Sequence, residues 1–348
     1  MPPQPPSFQP RPFRPASWAG GPHVQTLLAR AFRSDDGPPY RRERLDTPDN
    51  DFLDLDWMPE PAPGAPVALV LHGLEGSARR RYVRNVCTGL HARGVWPVAL
   101  NFRACSGEPN RRPRMYHSGA TGDVAHVLEV LRDRHPGRSM GAMGVSLGGN
   151  ILLKLLGERG EEGRELLQAA AVLSVPYDLD AGCRLLEAGG MGSFYSWYFL
   201  RSLKSKVRAK AEVLEAHLDL RQVENAPTLR QFDDLATAPL HGFESAEEYY
   251  RLCSSSRFLD AVRVPTLLVH SLDDPFLPRD AIPRARMDAN PWLQPLVTER
   301  GGHVGFMEGP PWSPRFWADE EITRFLSDTL RAEVRQDVSS SSEPGGGR

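Results

Sequence analysis

The chain has 348 residues, of which 25% are charged and 40% apolar, and its net charge is -2. Such a length suits one large α/β domain with an insertion or two small domains, and the balanced charge leaves no basic field for nucleic acid. The four cysteines, Cys87, Cys105, Cys183 and Cys253, form no C-x-x-C pair, so neither a zinc site nor a disulfide framework is expected; no cofactor and no metal are expected.

No apolar run approaches the roughly 18 residues that span a bilayer. The N-terminus lacks the charged and apolar regions of a signal peptide. The expectation is a reduced, cytoplasmic protein. Residues 1–40 read as a Pro-rich arm, with Pro2, Pro3, Pro5, Pro6, Pro10, Pro12 and Pro15, followed by a short helix beginning near Gly21. Phe13, Trp18 and Phe32 suggest that the arm packs on the body. His23 is a functional candidate, with a capping or packing role the preferred reading. Asp51 to Trp57 reads as a strand. Val67 to Leu71 is a continuous apolar run, the signature of a parallel strand buried on both faces. A helix from Arg80 to Arg93, a strand from Trp96 to Phe102 and a helix from Asp123 to Arg134 follow. Next come the short strand before Ser146, a helix after it, and a strand from Ala169 to Val175.

This alternation predicts an α/β fold: a mostly parallel central sheet with helices on both faces. It breaks between about 177 and 263, where an aromatic cluster (Phe194, Tyr195, Trp197, Tyr198, Phe199) and helical sequence predict a cap insertion. Strands resume at Val264 to His270 and Gln294 to Thr298, and a last helix is expected from Phe316 to Ala332. The α/β domain is thus expected over 41–335, with a disordered Ser- and Gly-rich tail at 336–348.

Gly144-x-Ser146-x-Gly148 lies between a strand and a helix, the context of a nucleophile elbow. Glycines permit the tight turn, and the helix N-terminus favours developing negative charge. Downstream, His270-Ser271-Leu272-Asp273-Asp274-Pro275 offers the acid. Asp274, four residues before Pro278, is selected, and Asp273 is kept as the alternative with turn capping as its other role. Of the ten histidines, His303 follows the acid in chain order on a loop after a strand. Ser146, Asp274, His303 is the order of α/β-hydrolases. A serine needs a base to take its proton, an imidazole can take and return it, and a carboxylate fixes the imidazole tautomer. The oxyanion hole is expected at the backbone N–H groups of Leu147 and of Leu74, which follows His72-Gly73. His72 itself is expected only to shape that loop.

These motifs also resemble a known family. His72-Gly73-Leu74-Glu75-Gly76-Ser77, Asn101 to Glu108, Tyr116 to Gly119, Ser146 to Lys154 and Asp273 to Phe276 are similar to those of the YheT-like α/β-hydrolases, a family related to the ABHD1/2/3-type esterases and lipases and to plant embryogenesis-associated proteins. His23-Val24-Gln25-Thr26, Leu229 to Asp234 and Tyr249-Tyr250 fit as well. The resemblance implies a carboxylic ester hydrolase with a charge-relay triad at Ser146, Asp274 and His303. One departure is Ala104, where the family usually has glycine.

The substrate is expected to be a small ester, short- or medium-chain or lipid-like, with peripheral lipid contact open, no integral membrane segment and the oligomeric state undetermined. The cap aromatics are equally an acyl-pocket lining or ordinary cap core. Arg79, Arg80, Arg81 and Arg103 are candidates for an anionic head group, with surface or structural ion pairs preferred. Two other functions use the same features: an acyltransferase with the same triad, and a non-catalytic hydrolase-fold interaction protein.

Overall fold

The computed structural model describes residues 8–34 and 36–340. Pro2, Pro3, Pro5 and Pro6 of the arm, and residues 341–348 of the expected tail, lie outside the described residues. Eight strands make one sheet: β1 (Arg41–Asp46), β2 (Phe52–Trp57), β3 (Val67–Leu71), β4 (Trp96–Asn101), β5 (Met140–Val145), β6 (Ala169–Leu173), β7 (Thr266–Ser271) and β8 (Leu293–Thr298). Their spatial order is β1-β2-β4-β3-β5-β6-β7-β8. The first two pairings are antiparallel and the rest, from β4 through β8, are parallel.

The continuous apolar run of β3 has a direct cause. Val67, Leu69 and Leu71 pack on one side of the sheet with helices α3 (Thr121–Arg134) and α4 (Leu147–Arg159). Ala68 and Val70 pack on the other with α2 (Arg81–Ala92) and the C-terminal helix Trp317–Ser340. Alternate side chains of one strand thus enter two cores.

The strand β1 has no counterpart in the sequence reading. Its segment, Arg41-Arg42-Glu43-Arg44-Leu45-Asp46, shows no apolar alternation. It is an edge strand, and charge suits an exposed edge. Arg42 and Arg44 reach across the ladder to the buried carboxylates of Asp56 and Asp54 at 2.7 and 2.9 Å. The C-terminal helix likewise continues to Ser340, past the expected end at Ala332 and into the segment expected to be a disordered tail. Ala332-Glu333-Val334-Arg335-Gln336 contains mostly good helix formers, which allow it to propagate.

Between β6 and β7 the chain leaves the sheet. It forms α5, the helix Leu179–Glu187; α6, the helix Met191–Ala209; short helical turns; and the helix Ala246–Cys253. These elements share an apolar core of their own, including Leu200, Leu203, Val207, Phe232, Tyr249 and Tyr250.

Ala104 lies at φ 60°, in the left-handed region where a Cβ costs about 1–2 kcal/mol. Glycine there would remove that strain but lose about 0.5–1 kcal/mol of backbone entropy on folding. Ala104→Gly is therefore expected to stabilise the chain by about 0.5–1 kcal/mol, read as a higher denaturant midpoint at unchanged m. A lower midpoint would contradict the strain argument.

Candidate active site

Ser146 stands at the junction of β5 and α4, at φ 52° and ψ -120°. A non-glycine residue in that region is strained by about 1–3 kcal/mol and persists only where its surroundings over-determine it. Here the constraint is clear. The Ser146 N–H donates to the Leu173 carbonyl of the adjacent strand at 2.8 Å, and its carbonyl accepts from Asn150 as the helix begins. A Cβ at Gly148 would lie 2.6 Å from the His72 carbonyl, so the end of β3 and the start of α4 touch backbone to backbone. The Asn150 amide donates to the Ser118 and Cys253 carbonyls and accepts from Ser255 N–H, which ties the elbow helix to the cap.

The structure brings Ser146, His303 and Asp274 together. Ser146 Oγ is 3.0 Å from His303 Nε2. His303 Nδ1 is 2.9 and 3.1 Å from the two Asp274 oxygens. Asp274 is almost fully buried, and its Oδ1 also accepts from Phe276 N–H at 2.8 Å. With a carboxylate on Nδ1, that nitrogen carries the proton and Nε2 is the acceptor facing the serine. The neighbouring His270 ring, wholly buried, has its Nε2 3.8 Å from Asp274. Burial pushes its pKa down to about 4, so it stays neutral and does not compete with His303 for the carboxylate charge.

Asp273 plays a different part. Its Oδ1 accepts from Gly302 N–H at 2.8 Å, holding the loop that carries His303. Ser271 donates to the Gly302 carbonyl at 2.8 Å, and Ser174 accepts from Val304 N–H at 3.0 Å. A further clamp comes from α1 (Pro22–Phe32). Thr26 Oγ1 accepts the His303 N–H at 2.9 Å and donates to the Pro22 carbonyl. Gln25 accepts from Met307 N–H at 2.7 Å. His23, by contrast, meets the cap: its Nδ1 is 3.2 Å from the Tyr195 hydroxyl. Sequence reasoning flagged the motif His23 to Thr26 without finding this role. Thr26→Val removes the acceptor while keeping the side-chain shape. It is expected to lower kcat about tenfold with little change in KM, since one hydrogen bond of about 1–1.5 kcal/mol holds the loop. Equal loss of thermal stability and no change in kcat would assign Thr26 to folding alone.

The loop after β3 is fixed as firmly. The Gly73 carbonyl accepts from His72 Nδ1 at 2.8 Å and from Gly76 N–H at 3.0 Å. Phe102 N–H donates to His72 Nε2 at 3.2 Å, which completes the neutral tautomer. Burial lowers the His72 pKa to about 3, which keeps the ring neutral near pH 7. Because a trans peptide sets C=O and N–H on opposite sides, pinning the Gly73 carbonyl also pins the Leu74 N–H. A Cβ at Gly73 would sit 3.1 Å from Ser146 Cβ, so this peptide lies against the serine. Leu147 is the first residue of α4, and its N–H is one of the helix-start donors without an intrahelical acceptor. Glu75, the residue after Leu74, is buried and joins loop to cap: it accepts from Tyr116 OH at 2.7 Å, from Lys206 at 2.8 Å, and from Ser202.

Beside Ser146 is a cavity of about 130 Å³, walled by Leu74, Leu147, Leu179, Phe199, Leu203 and Phe276 among others. The aromatic cluster of the cap therefore divides. Phe199 lines the cavity, Tyr195 is buried in the cap core, and Phe194 and Trp197 are exposed. Phe276 stacks on the His303 ring, with centroids 4.1 Å apart. The arginines divide too. Arg103 is buried and bonded to Asp49, Asp51 and Asp123, a structural hub. Arg80 donates to the Glu75 carbonyl at 2.6 Å, and Arg81 to the Ala31 carbonyl at 2.7 Å.

A mostly parallel sheet with a serine at a strained strand-to-helix turn, and an aspartate and histidine on the loops after later strands, defines a class. The chain belongs to the α/β-hydrolase family: the family described as "alpha/beta hydrolase fold" matches residues 66–310. The esterase Pf2001 of Pyrococcus furiosus has the same fold, with a TM-score of 0.54 at 17% identity, over 84% of this chain and 92% of that one. Within the class the chain is YheT-like. It is 39% identical to the Escherichia coli (strain K12) protein named "Putative esterase YheT", over 89% of this chain and 91% of the relative. It is also 32% identical to the mouse protein named "Phospholipase ABHD3", over 85% of this chain and 74% of the relative. Among the described residues, no helix is long and apolar enough to cross a membrane.

Proposed function

We propose that the protein hydrolyses carboxylic esters through Ser146, His303 and Asp274. The observation that carries the reading is the unbroken hydrogen-bond chain from Ser146 Oγ to Asp274 through both nitrogens of His303. His303 Nε2 takes the serine proton as Oγ attacks the ester carbonyl. The negative oxygen of the tetrahedral intermediate is held by the N–H groups of Leu74 and Leu147, each worth about 3 kcal/mol in the transition state. As the intermediate collapses, the alkoxide leaves with the proton from imidazolium and an acyl-enzyme remains. Water then repeats the sequence, losing its proton to His303, and the acid is released as the serine is reprotonated. Asp274 stabilises the imidazolium without taking its proton.

The apolar walls of the cavity support an acyl chain, and its volume of about 130 Å³ favours a short to medium one. The name of the ABHD3 relative adds lipid-like esters to the candidates. The four cysteines, all free and buried, agree with a reducing compartment such as the cytoplasm.

The test is hydrolysis of p-nitrophenyl esters of graded chain length. We expect kcat/KM to peak at short to medium acyl chains and to fall for long ones. A flat profile, or a peak at long chains, would contradict the cavity assignment. A panel of alcohol acceptors in the same assay separates hydrolysis from acyl transfer. A fluorophosphonate that fails to label Ser146 in folded protein would favour a non-catalytic role.

A further inference from the structure

The surface where the first helix meets the cap carries apolar side chains that ester cleavage does not explain. Val24 and Leu27 of α1 and Phe194 and Trp197 of α6 expose 40, 41, 46 and 53% of their surface. The two helices meet through long side chains. His23 meets Tyr195, and Arg30 donates to the Tyr198 hydroxyl at 3.1 Å. His23, Leu27 and Arg30 share one face of α1 by their spacing, so Leu27 lies over the seam with α6.

The two helices themselves carry charges of one sign, although Trp197 and Arg201 share a pocket wall with Glu187 and Glu224. Neither Pro22–Phe32 nor Met191–Ala209 contains an Asp or Glu, in a chain with 44 acidic residues against 42 basic ones. Arg30 and Arg201 are exposed and, among the described residues, form no ion pair. The Arg201 guanidinium lies 5.7 Å from the centre of the Trp197 ring. The patch also connects to the reacting centre. Ring centroids run from His303 to Phe276 at 4.1 Å, to Tyr195 at 4.7 Å, to Phe194 at 5.8 Å and to Trp197 at 6.2 Å. A cleft lined by Pro22, His23, Met191 and Asp274 opens on the same flank.

We propose that this flank docks on an anionic phospholipid surface. Trp197 and Phe194 enter the headgroup and acyl boundary, where aromatic rings with one apolar side are favoured. Arg30 and Arg201 meet lipid phosphates, and the absence of carboxylates on both helices removes the repulsion that would oppose contact. Docking sets the mouth of the site at the lipid boundary. That consequence rests on the ester-hydrolase reading; the docking itself does not.

The experiment is co-sedimentation of the full chain with vesicles of dialkyl-ether phosphatidylglycerol and phosphatidylcholine, whose linkages no esterase cleaves. We expect binding that requires phosphatidylglycerol and weakens in high salt. Arg30→Glu and Arg201→Glu should each weaken it by about fivefold or more, and Phe194→Ala with Trp197→Ala should weaken it in low salt as well. All these variants should keep wild-type hydrolysis of a soluble p-nitrophenyl ester, so loss of docking is told apart from failure of the chemistry. Absence of vesicle binding, or binding untouched by the variants, would overturn the proposal. So would a concentration-dependent dimer that the Phe194 and Trp197 changes abolish, since a second copy would then cover the patch.

Discussion

Replacing Ser146 by alanine is expected to lower kcat on a p-nitrophenyl ester by about 10⁵- to 10⁶-fold, with the fold intact. The size follows from the geometry. Oγ is the atom that His303 Nε2 faces at 3.0 Å, and no substitute is aimed there. The Ser174 hydroxyl is committed to Val304 N–H. What survives is the rate given by the oxyanion donors and by binding, about 10³–10⁴ over water. His303→Ala should cost about as much, and the double variant scarcely more, because the residues act as one unit. Ser146→Gly separates activity from strain. It is equally inactive, but at φ 52° it should be no less stable than Ser146→Ala, and gains up to about 1–2 kcal/mol from relief of the left-handed conformation. Activity within a hundredfold of wild type in Ser146→Ala would sink the mechanism.

What could be read from the sequence was local. The apolar run of β3 and the glycines around Ser146 are patterns of neighbouring residues, and each became the element it suggested; the chain order of Ser146, Asp274 and His303 marked three residues that the fold brings within hydrogen-bond distance. The interactions that position those residues were not legible, because they join distant parts of the chain. Thr26 clamps His303 across 277 positions, and nothing in a threonine on a short helix announces that contact. The strand β1 escaped because Leu45 is its one apolar residue and its other side chains are charged, so it has no alternating apolar pattern. Arg103 was open to a ligand role only until its three carboxylate partners were known. Ala104 is the opposite case. Its departure from the glycine usual in the family is one residue wide, and it falls where the backbone turns left-handed, so the mismatch was visible in sequence before its cost was.

The two adjacent aspartates give the second large effect. Asp274→Asn is expected to lower kcat by about 10⁴-fold at near-neutral pH. The amide keeps the shape of the side chain but can present N–H to His303 Nδ1. The imidazole then carries its proton on Nε2, facing Ser146 as a donor where an acceptor is needed, and the imidazolium formed during attack loses its counter-charge. Asp273→Asn should behave otherwise. Its Oδ1 receives one N–H, from Gly302, and an amide oxygen can still accept it. The loss is the difference between a charged and a neutral acceptor, about 1–1.5 kcal/mol, which corresponds to at most about tenfold in rate. The same two variants read the loop as well as the chemistry. Asp273→Asn should lower the thermal midpoint more than it lowers kcat, because its carboxylate steadies the turn that carries His303, while Asp274→Asn should do the reverse. Steady-state kinetics with both variants, beside their melting curves, decides the assignment. If Asp273→Asn is the more damaging to kcat, the acid has been placed on the wrong aspartate and the hydrogen bonds between His303 and Asp274 are structural only.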